Sequence, residues 1–345
     1  MSVVDEQPEA SQKTVAIDPL ELTHRRPDWS AAQPLTRMQR FGMLALLGVM
    51  AGCAVCSPLR TAQVLIAACT VFYVIVMLYK FIVIRASLSP SAILRFSPDE
   101  LAAQEPREWP LFSILVPMYK EPETVKQMVA SLAAMDYPAD KKDVQILLEA
   151  DDEVTLAAAR EVAMPPGFRV TEIPVSFPRT KPKACNIGLH LAGGTYLVIY
   201  DAEDIPEKDQ LKKAVMAFEA SPANVVCVQS RLNYYNPRQN LLTRWFTAEY
   251  SAWFDLQLPG LAALGAVIPL GGTSNHFKVK VLRELMGWDA YNVTEDCDLG
   301  VRLVRAGYAT RMLETTTWEE ACSQLTFWIK QRTRFSFRFK CHDLI

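Results

Sequence analysis

Residues 196–204 read Tyr-Leu-Val-Ile-Tyr-Asp-Ala-Glu-Asp, an apolar run that ends in three carboxylates within four positions. Consecutive apolar residues with β-branched members in the middle predict a strand buried on both faces, as in the centre of a parallel sheet. Ligands of open α/β sheets bind at the carboxyl ends of the strands, where Asp201 and Glu203 can both turn toward one hard cation. The alternative is a polar turn in which Asp204 or Glu207 caps the next helix.

The sequence alternates between strand and helix patterns on both sides of this stretch. Strands are predicted at 112–116, 144–148, 168–175 and 225–231, and helices at 125–132, 155–162, 183–191 and 211–218. Such alternation indicates βαβ units and a mostly parallel sheet, so the predicted fold class is α/β. No Gly-x-Gly-x-x-Gly or Walker loop follows any of these strands, which argues against a dinucleotide enzyme and a P-loop ATPase.

Length and composition restrict the possible functions further. A chain of 345 residues has room for about two domains, or for one large domain and membrane helices. The formal net charge of -2 does not favour a nucleic-acid partner. The 8 cysteines are scattered, which is typical of a protein whose main domain lies in a reducing, cytoplasmic environment.

The N-terminal part has the pattern of a membrane anchor. Residues 1–40 are polar and lack an apolar run, which predicts a disordered cytoplasmic tail. Within residues 41–85, two uncharged 19-residue stretches flank Arg60, and each would reach ~28 Å as a helix, close to the ~30 Å hydrocarbon core. Basic residues concentrate outside this hairpin, so both its ends are predicted to be cytoplasmic and the protein to be a multi-pass inner-membrane protein. A helical hairpin buried in a soluble core is the alternative.

Two segments of the main domain, predicted at 111–320, carry further candidate features. Residues 86–110, which precede this domain, contain four prolines and are interpreted as a linker. The aromatic-rich segment 241–258 is a core helix, an interfacial helix on the bilayer or the wall of a groove. The glycine turn at 269–277, which includes Asn275, is either a plain loop or a place where backbone approaches a ligand.

The triplet Thr294-Glu295-Asp296 opens a predicted helix that ends before Gly307. Thr294 can serve simply as the N-cap of this helix. A helix N-terminus also favours an ionised carboxylate, as a general base requires near neutral pH.

The last residues, 321–345, are interpreted as a basic aromatic helix that contains Gln331-Arg332-Thr333-Arg334-Phe335. Guanidinium groups at this spacing suit a diphosphate, because their planar forks bind phosphate oxygens in pairs. A basic amphipathic helix lying on anionic lipid is the competing interpretation.

Taken together, these motifs resemble those of the membrane-bound, processive type of family-2 glycosyltransferases, which includes cellulose, chitin, hyaluronan and poly-N-acetylglucosamine synthases. The resemblance covers about residues 110–340. In that family a GT-A nucleotide-sugar fold carries an acidic motif after the second strand, then Asp-x-Asp, Thr-Glu-Asp and Gln-x-x-Arg-Trp. Here Glu149-Ala150-Asp151-Asp152, Asp201-Ala202-Glu203, Thr294-Glu295-Asp296 and the segment 331–335 stand in that order.

The resemblance implies a role for each matched residue. Donor binding is expected from Pro117, Tyr119, Glu121, Asp151, Lys183, Asp201, Arg332 and Arg334. Of these, Asp151 is expected to contact the nucleobase, with Asp152 as the next candidate, and Lys183 is expected to contact the diphosphate. Metal binding is expected from Asp201 and Glu203, and acceptor binding from Asn275, Gln331 and Phe335. Asp296 is the expected general base, with Glu295 as the next candidate.

The chain departs from the family pattern at three places. Glu203 stands where the family has a second Asp, and Phe335 stands where it has Trp. Family synthases also continue into further transmembrane helices, whereas this sequence ends at Ile345, so we expect export of a polymer to require a partner subunit or a longer C-terminus.

The expected function is therefore that of an inverting β-glycosyltransferase at the cytoplasmic face of the membrane. Its donor would be a nucleoside-diphosphate sugar, first of all a UDP-sugar, and its cofactor Mg²⁺ or Mn²⁺. Its acceptor would be a growing polysaccharide, with a lipid second. An inactive membrane scaffold or receptor subunit that retains the fold is the hypothesis of another class.

Overall fold

The predicted sheet forms in the structure, a computed structural model that describes residues 17–33, 35–329 and 332. Its strands are β1 (Ile93–Leu94), β2 (Phe112–Met118), β3 (Lys142–Glu149), β4 (Phe168–Ile173), β5 (Tyr196–Ile199), β6 (Ile205–Pro206), β7 (Val225–Tyr234), β8 (Asn275–Lys278) and β9 (Ala309–Glu319). The helices are α1 (Glu21–Arg25), α2 (Arg37–Cys56), α3 (Pro58–Ser87), α4 (Pro98–Ala102), α5 (Val125–Ala133), α6 (Glu153–Glu161), α7 (Lys181–Leu191), α8 (Gln210–Glu219), α9 (Leu241–Ser251), α10 (Leu258–Ala263), α11 (Val279–Glu284) and α12 (Glu295–Arg305), with a π-helical stretch, Ala252–Gln257, between α9 and α10.

The strand order in the sheet is β1-β9-β7-β8-β5-β2-β3-β4, and β6 pairs with β9. Strands β5, β2, β3 and β4 run parallel to one another, as do β7, β9 and β1. Strand β8 is antiparallel to both its neighbours, β5 and β7, and joins the two parallel groups. The α/β fold class and the mostly parallel sheet are therefore confirmed.

Helices cover both faces of the sheet because successive side chains of a strand point to opposite sides. Leu115 of β2 packs in one core with residues of α7, α10, α11 and α12. Its neighbours Ile114 and Val116 pack in a second core with residues of α5, α6 and α8. This sandwich of three layers leaves the carboxyl ends of β2, β3 and β5 at one edge, where the loops that follow them are free to build a site.

Helices α2 and α3 are long and apolar enough, by length and composition, to cross a membrane. The end of α3 packs on the sheet domain through Val83, which is fully buried, and Gly260 of α10. A Cβ on Gly260 would lie 2.0 Å from the carbonyl oxygen of Val83, so only glycine permits this contact. The second apolar helix is thus fixed to the sheet domain by close packing.

Two segments are more ordered than the sequence analysis predicted. Within the expected tail, residues 17–33 lie against the domain, with Leu22 and Ser30 buried. Within the expected linker, β1 pairs with β9 and Trp109 is buried. In both segments a few apolar or hydrogen-bonding residues find partners far away in the sequence, which composition alone does not reveal.

The aromatic-rich segment 241–258 contributes in part to the core, the first of the three roles that the sequence allowed. Phe246 and Phe254 are buried, whereas Trp245 and Trp253 are exposed. Beyond β9, the described part of the C-terminal segment is helical from 325 to 329 and again at Arg332.

Candidate active site

The loops that follow β2, β3 and β5 surround a cavity of about 480 Å³. Its lining residues are Pro117, Met118, Tyr119, Glu121, Leu147, Glu149, Arg179, Thr180, Lys181, Ala184, Asp201, Ala202 and Glu203. Five of the predicted site residues, namely Pro117, Tyr119, Glu121, Asp201 and Glu203, are therefore brought together as expected. The cavity lies at the carboxyl edge of the parallel strands, where α/β folds bind ligands.

The turn after β5 is fixed by Asp204, which leaves Asp201 free to face the cavity. One carboxylate oxygen of Asp204 accepts the Asp201 backbone N–H at 2.7 Å and the Thr273 hydroxyl. Asp204 does not cap the next helix, because α8 begins at Gln210, and its N-cap position is Asp209. The capping alternative therefore does not describe this turn.

Lys181 is the cation at the centre of the site. Its ammonium group pairs with Asp201 and donates a hydrogen bond to the Gly272 carbonyl at 2.8 Å. Burial lowers the pKa of Lys181, but the carboxylates of Asp201, Asp296 and Glu295 outweigh that effect and hold this pKa well above its usual range. Lys181 therefore stays charged and balances the surrounding acids.

Lys183, expected at the diphosphate, does not line the cavity. Its side chain is fully buried, and Nζ lies 2.9 Å from Glu149 Oε1 and 3.3 Å from the carbonyl oxygens of Pro174 and Ser176. The physical reason is helical geometry, since two residues along α7 place a side chain on nearly the opposite side of the helix. Lys183 is corrected to a buried structural ion pair, and Lys181 takes its place at the cavity.

Asp296 lies at the start of α12, over the turn that contains Gly272. A Cβ on Gly272 would lie 3.7 Å from Asp296 Oδ2, and the Gly272 carbonyl holds Lys181. Burial raises the pKa of Asp296 to about 7, with Lys181 acting to lower it and Asp201 to raise it. Burial thus outweighs the effect of the helix N-terminus, which by itself would favour the ionised carboxylate. A pKa near neutrality suits a general base better.

Glu295, the neighbouring candidate, has a different environment. It is buried, and this burial, together with the charge of Asp296, raises its pKa well above the usual range. Burial disfavours the ionised form that a base requires, so Glu295 remains the second candidate after Asp296.

The cavity concentrates negative charge at its mouth. Burial raises the pKa of Glu121 to about 7, and the charges of Glu203 and Asp201 add to this effect. Burial and the charge of Asp201 also raise the pKa of Glu203. Carboxylates that repel one another in this way gain stability when a cation joins them.

The two acids after β3 have different roles. Asp151 pairs with Arg179, which lines the cavity, at 2.6 Å, so it borders the site. Asp152 is buried, caps α6 by accepting the Thr155 N–H at 3.2 Å, and accepts the Lys120 N–H in the loop after β2. Lys120 has a φ of 58°, a conformation that is unfavourable for a residue with a side chain. Asp152 therefore stabilises the conformation of the loop after β2.

Two predicted residues lie away from the cavity. Asn275 is buried in β8 and donates to the Gly271 carbonyl, because the expected glycine turn ends in a strand that inserts between β5 and β7. Arg332 pairs with Glu249 of α9 and lies over the ring of Phe246 at 5.0 Å. Gln331, Arg334 and Phe335 lie outside the described residues.

The sequence analysis did not assign Lys181, Arg179 or Glu149 to the site. A signal for Lys181 was present, since it stands at the beginning of the helix that follows β4, nearest to the strand ends. Glu149 is the last residue of β3, lines the cavity and pairs with the buried Lys183.

The two lysines of α7 provide a matched pair of variants. Lys183→Met should lower the free energy of unfolding by about 3–5 kcal/mol, because it leaves Glu149 without its buried counter-ion. Lys181→Met should change stability much less and weaken nucleoside-diphosphate binding by on the order of 10-fold, the value of one charged hydrogen bond. Thermal unfolding and calorimetric titration with UDP and GDP measure both effects. Equal losses of stability in the two variants would contradict this assignment.

Comparisons with known proteins agree with the geometry. Residues 109–337 match the model of the family described as "Glycosyltransferase like family 2". The chain is 24% identical over 233 residues to the probable glycosyltransferase YdaM of Bacillus subtilis (strain 168), covering 67% of this chain and 55% of that protein. It is also 24% identical to glucomannan 4-beta-mannosyltransferase 2 of Arabidopsis thaliana, covering 64% of this chain and 42% of that one. The chain thus spans about half the length of these curated relatives.

A solved structure shares the fold. The mannosyltransferase PcManGT from Pyrobaculum calidifontis, in complex with GDP-Man and Mn²⁺, superposes with a TM-score of 0.58 at 22% identity, covering 79% of this chain and 71% of that one. The family match spans well over half of the sequence and contains every residue that lines the cavity. The chain therefore has a GT-A fold and belongs to the family described as "Glycosyltransferase like family 2".

Proposed function

We propose that this chain is a membrane-bound, inverting β-glycosyltransferase that transfers a hexosyl group from a nucleoside-diphosphate sugar to a growing polysaccharide. The observation that carries the proposal is that Lys181 contacts both Asp201 and the Gly272 carbonyl, that Asp296 lies against Gly272, and that a cavity at the strand ends adjoins them. Asp201 can bind a cation, Lys181 can bind phosphate and Asp296 can accept a proton.

The cavity offers separate contacts for the parts of a nucleotide sugar. Pro117, Tyr119 and Glu121 form the wall on the β2 side, where a nucleoside can pack and hydrogen-bond. Arg179 and Lys181 lie on the opposite wall and present positive charge to a diphosphate. Asp151 pairs with Arg179 and does not itself line the cavity. We therefore propose that the main role of Asp151 is to orient Arg179, and that contact with the nucleobase is secondary.

The residues present fit a divalent cation that shares its ligands with the donor. In the described part of the chain, no three His, Cys, Asp or Glu side chains are grouped so that they could hold a metal by themselves. Mg²⁺ is commonly bound by only one or two carboxylates together with substrate phosphates, so Asp201, with Glu203 at the cavity mouth, suffices. When bound, Mg²⁺ or Mn²⁺ neutralises the diphosphate and stabilises it as a leaving group.

The transfer itself requires a base on the side away from the leaving group. Asp296 accepts the proton of an acceptor hydroxyl, whose oxygen attacks the anomeric carbon while the bond to the diphosphate oxygen breaks. Because attack and departure occur on opposite faces, an α-linked donor gives a β-linked product. Lys181 stays protonated and stabilises the charge that develops on the departing nucleoside diphosphate.

A membrane location follows from the same proposal. Helices α2 and α3 would form a hairpin in the inner membrane, and the packing of Val83 on Gly260 would hold the catalytic domain at the cytoplasmic face. Basic residues at both outer ends of the hairpin support this orientation.

A donor panel tests the proposal directly. Purified protein in detergent, with Mn²⁺ or Mg²⁺, should release nucleoside diphosphate from one of UDP-glucose, UDP-N-acetylglucosamine and GDP-mannose, and chelation should stop the release. A UDP-sugar is our first candidate, and GDP-mannose is the second because one relative is a glucomannan mannosyltransferase.

The labelled product of the same assay identifies the acceptor. A product that stays in the aqueous phase and is sensitive to glycosidases supports a polysaccharide, whereas label extracted into organic solvent supports a lipid acceptor. Absence of release from every donor would favour the inactive scaffold.

A further inference from the structure

The residues just before the first apolar helix lie as a strap across the catalytic domain. We define the N-terminal strap as residues 17–33. Leu22 is 1%, Ser30 0% and Ala31 6% exposed, although their neighbours Arg25 and Asp28 face solvent. The strap is therefore anchored at a few points by buried residues.

The strongest anchor is a carboxylate of the catalytic domain. The Ser30 hydroxyl donates to Asp289 Oδ1 at 2.9 Å, and the backbone N–H of Ala31 donates to Asp289 Oδ2. Asp289 is fully buried, and its Oδ1 also accepts the Tyr291 N–H at 3.0 Å within its own loop. The two oxygens of one side chain thus join the strap to the loop from Trp288 to Thr294.

A second anchor holds the beginning of the same loop. The Asn186 amide nitrogen donates to the carbonyl oxygens of Pro19 and Trp288, both at 2.8 Å, and its oxygen accepts the Trp288 N–H at 2.9 Å. Asn186 belongs to α7, which begins at Lys181. The strap, α7 and the loop are therefore connected at one point.

The loop leads from these anchors to the reacting groups. The Ala290 carbonyl accepts the hydroxyl of Thr180, the residue before Lys181, at 2.8 Å. Asn292 accepts the backbone N–H of Thr294 at 3.0 Å, and α12 begins at the next residue. The loop thus contacts both the phosphate-facing lysine helix and the helix that begins with Glu295 and Asp296.

We propose that Asp289 is a positioning residue, through which the N-terminal strap sets the place of Asp296 relative to the acceptor hydroxyl. This inference rests on the proposed function, in which Asp296 is the general base. A base works only within hydrogen-bond reach of its proton, and a displacement of about 1 Å can cost on the order of 10²-fold in rate. The first apolar helix, α2, begins at Arg37, shortly after the strap. The strap therefore connects α2 to the loop that leads to Asp296.

The test uses the full chain with its preferred donor and compares variants on both sides of the contact. Ser30→Ala removes the strap's side-chain donor, and Asp289→Asn places an amide N–H against a backbone or hydroxyl donor. Arg25→Ala is the control, because Arg25 lies in the same strap and its ion pair within the described part of the chain is with Glu21 of the strap, at 3.1 Å. The readouts are kcat, the donor KM and the thermal unfolding midpoint.

We expect kcat to fall on the order of 10-fold in Ser30→Ala and more in Asp289→Asn, with the donor KM within about twofold of wild type. Ser30, Asp289 and Asn186 do not line the donor cavity, so donor affinity should change little. The double variant should be no worse than Asp289→Asn alone, because both changes break the same contact. Arg25→Ala should match wild type.

Unchanged kcat together with a lowered unfolding midpoint would overturn the proposal and assign the strap a purely structural role. A rise in donor KM with constant kcat would overturn it as well. If wild type itself releases no nucleoside diphosphate from any donor, the proposed function fails first, and the two failures are thus distinguishable.

Discussion

Asp201→Ala should abolish metal-dependent donor binding. Asp201 is the carboxylate that faces the cavity at the end of β5, and its present partner is the ammonium group of Lys181. Without it, a cation would retain only Glu203 and the diphosphate, while Lys181 would lose its anchor. We expect the affinity for a nucleoside-diphosphate sugar to become insensitive to Mn²⁺, with transfer reduced on the order of 10³-fold.

Calorimetric titration of the donor with and without Mn²⁺ measures this effect. Asp140→Ala is a suitable control, because Asp140 is an exposed carboxylate in the turn before β3, away from the cavity. Glu203→Gln should produce a smaller loss than Asp201→Ala, since its longer side chain lies at the mouth of the cavity. If Asp201→Ala keeps a donor affinity that Mn²⁺ strengthens as in wild type, Asp201 is not a metal ligand.

Asp296→Asn should bind the donor almost normally and transfer sugar at least about 10²-fold more slowly, because it cannot accept the acceptor proton. Glu295→Gln should lose much less, since Glu295 is buried and its raised pKa disfavours the ionised form that a base requires. Single-turnover transfer and donor titration separate the chemical step from binding. Near-normal transfer by Asp296→Asn, with a large loss in Glu295→Gln, would move the base to Glu295.

The pH dependence of kcat gives a second test of the same base. The pKa of Asp296 is raised to about 7, so the active, ionised form is lost as the pH falls through that value. A cation at Asp201 would add positive charge, and we therefore expect the acid limb of the rate profile at or below pH 7. Lys181→Met removes a charge that lowers this pKa and should move the limb to higher pH. A rate profile that is flat from pH 5 to 8 in wild type would contradict the assignment.

The sequence predicted the alternation of strands and helices well because local patterns report burial directly. The run that ends at Asp201 could only be a strand covered on both faces, and the apolar stripe that begins at Val125 could only be one face of a helix. Both appear in the structure close to their predicted bounds. The family resemblance then implied that Asp201 and Asp296 belong to one site.

Other features depended on contacts between distant segments. Strand β9 pairs with the short strand β1, which lies more than two hundred residues earlier in the sequence. No pattern in residues 86–110 predicts that pairing. Strand β8 turns Asn275 away from the cavity because it inserts between β5 and β7, which a glycine-rich stretch does not reveal. The raised pKa of Asp296 was also not visible in the sequence, because it results from burial and from the nearby charge of Asp201.

The sequence by itself therefore determined the fold class, the edge of the sheet that carries the site and most of its carboxylates, since these follow from local periodicity and from strands that end in acids. Only the tertiary structure decided which lysine of α7 faces the cavity and that Ser30 reaches Asp289. Both outcomes depend on which side of a helix is covered and on which distant residue completes a buried hydrogen bond. Three-dimensional packing decides both, because burying a charge or a hydroxyl without a hydrogen-bond partner costs free energy.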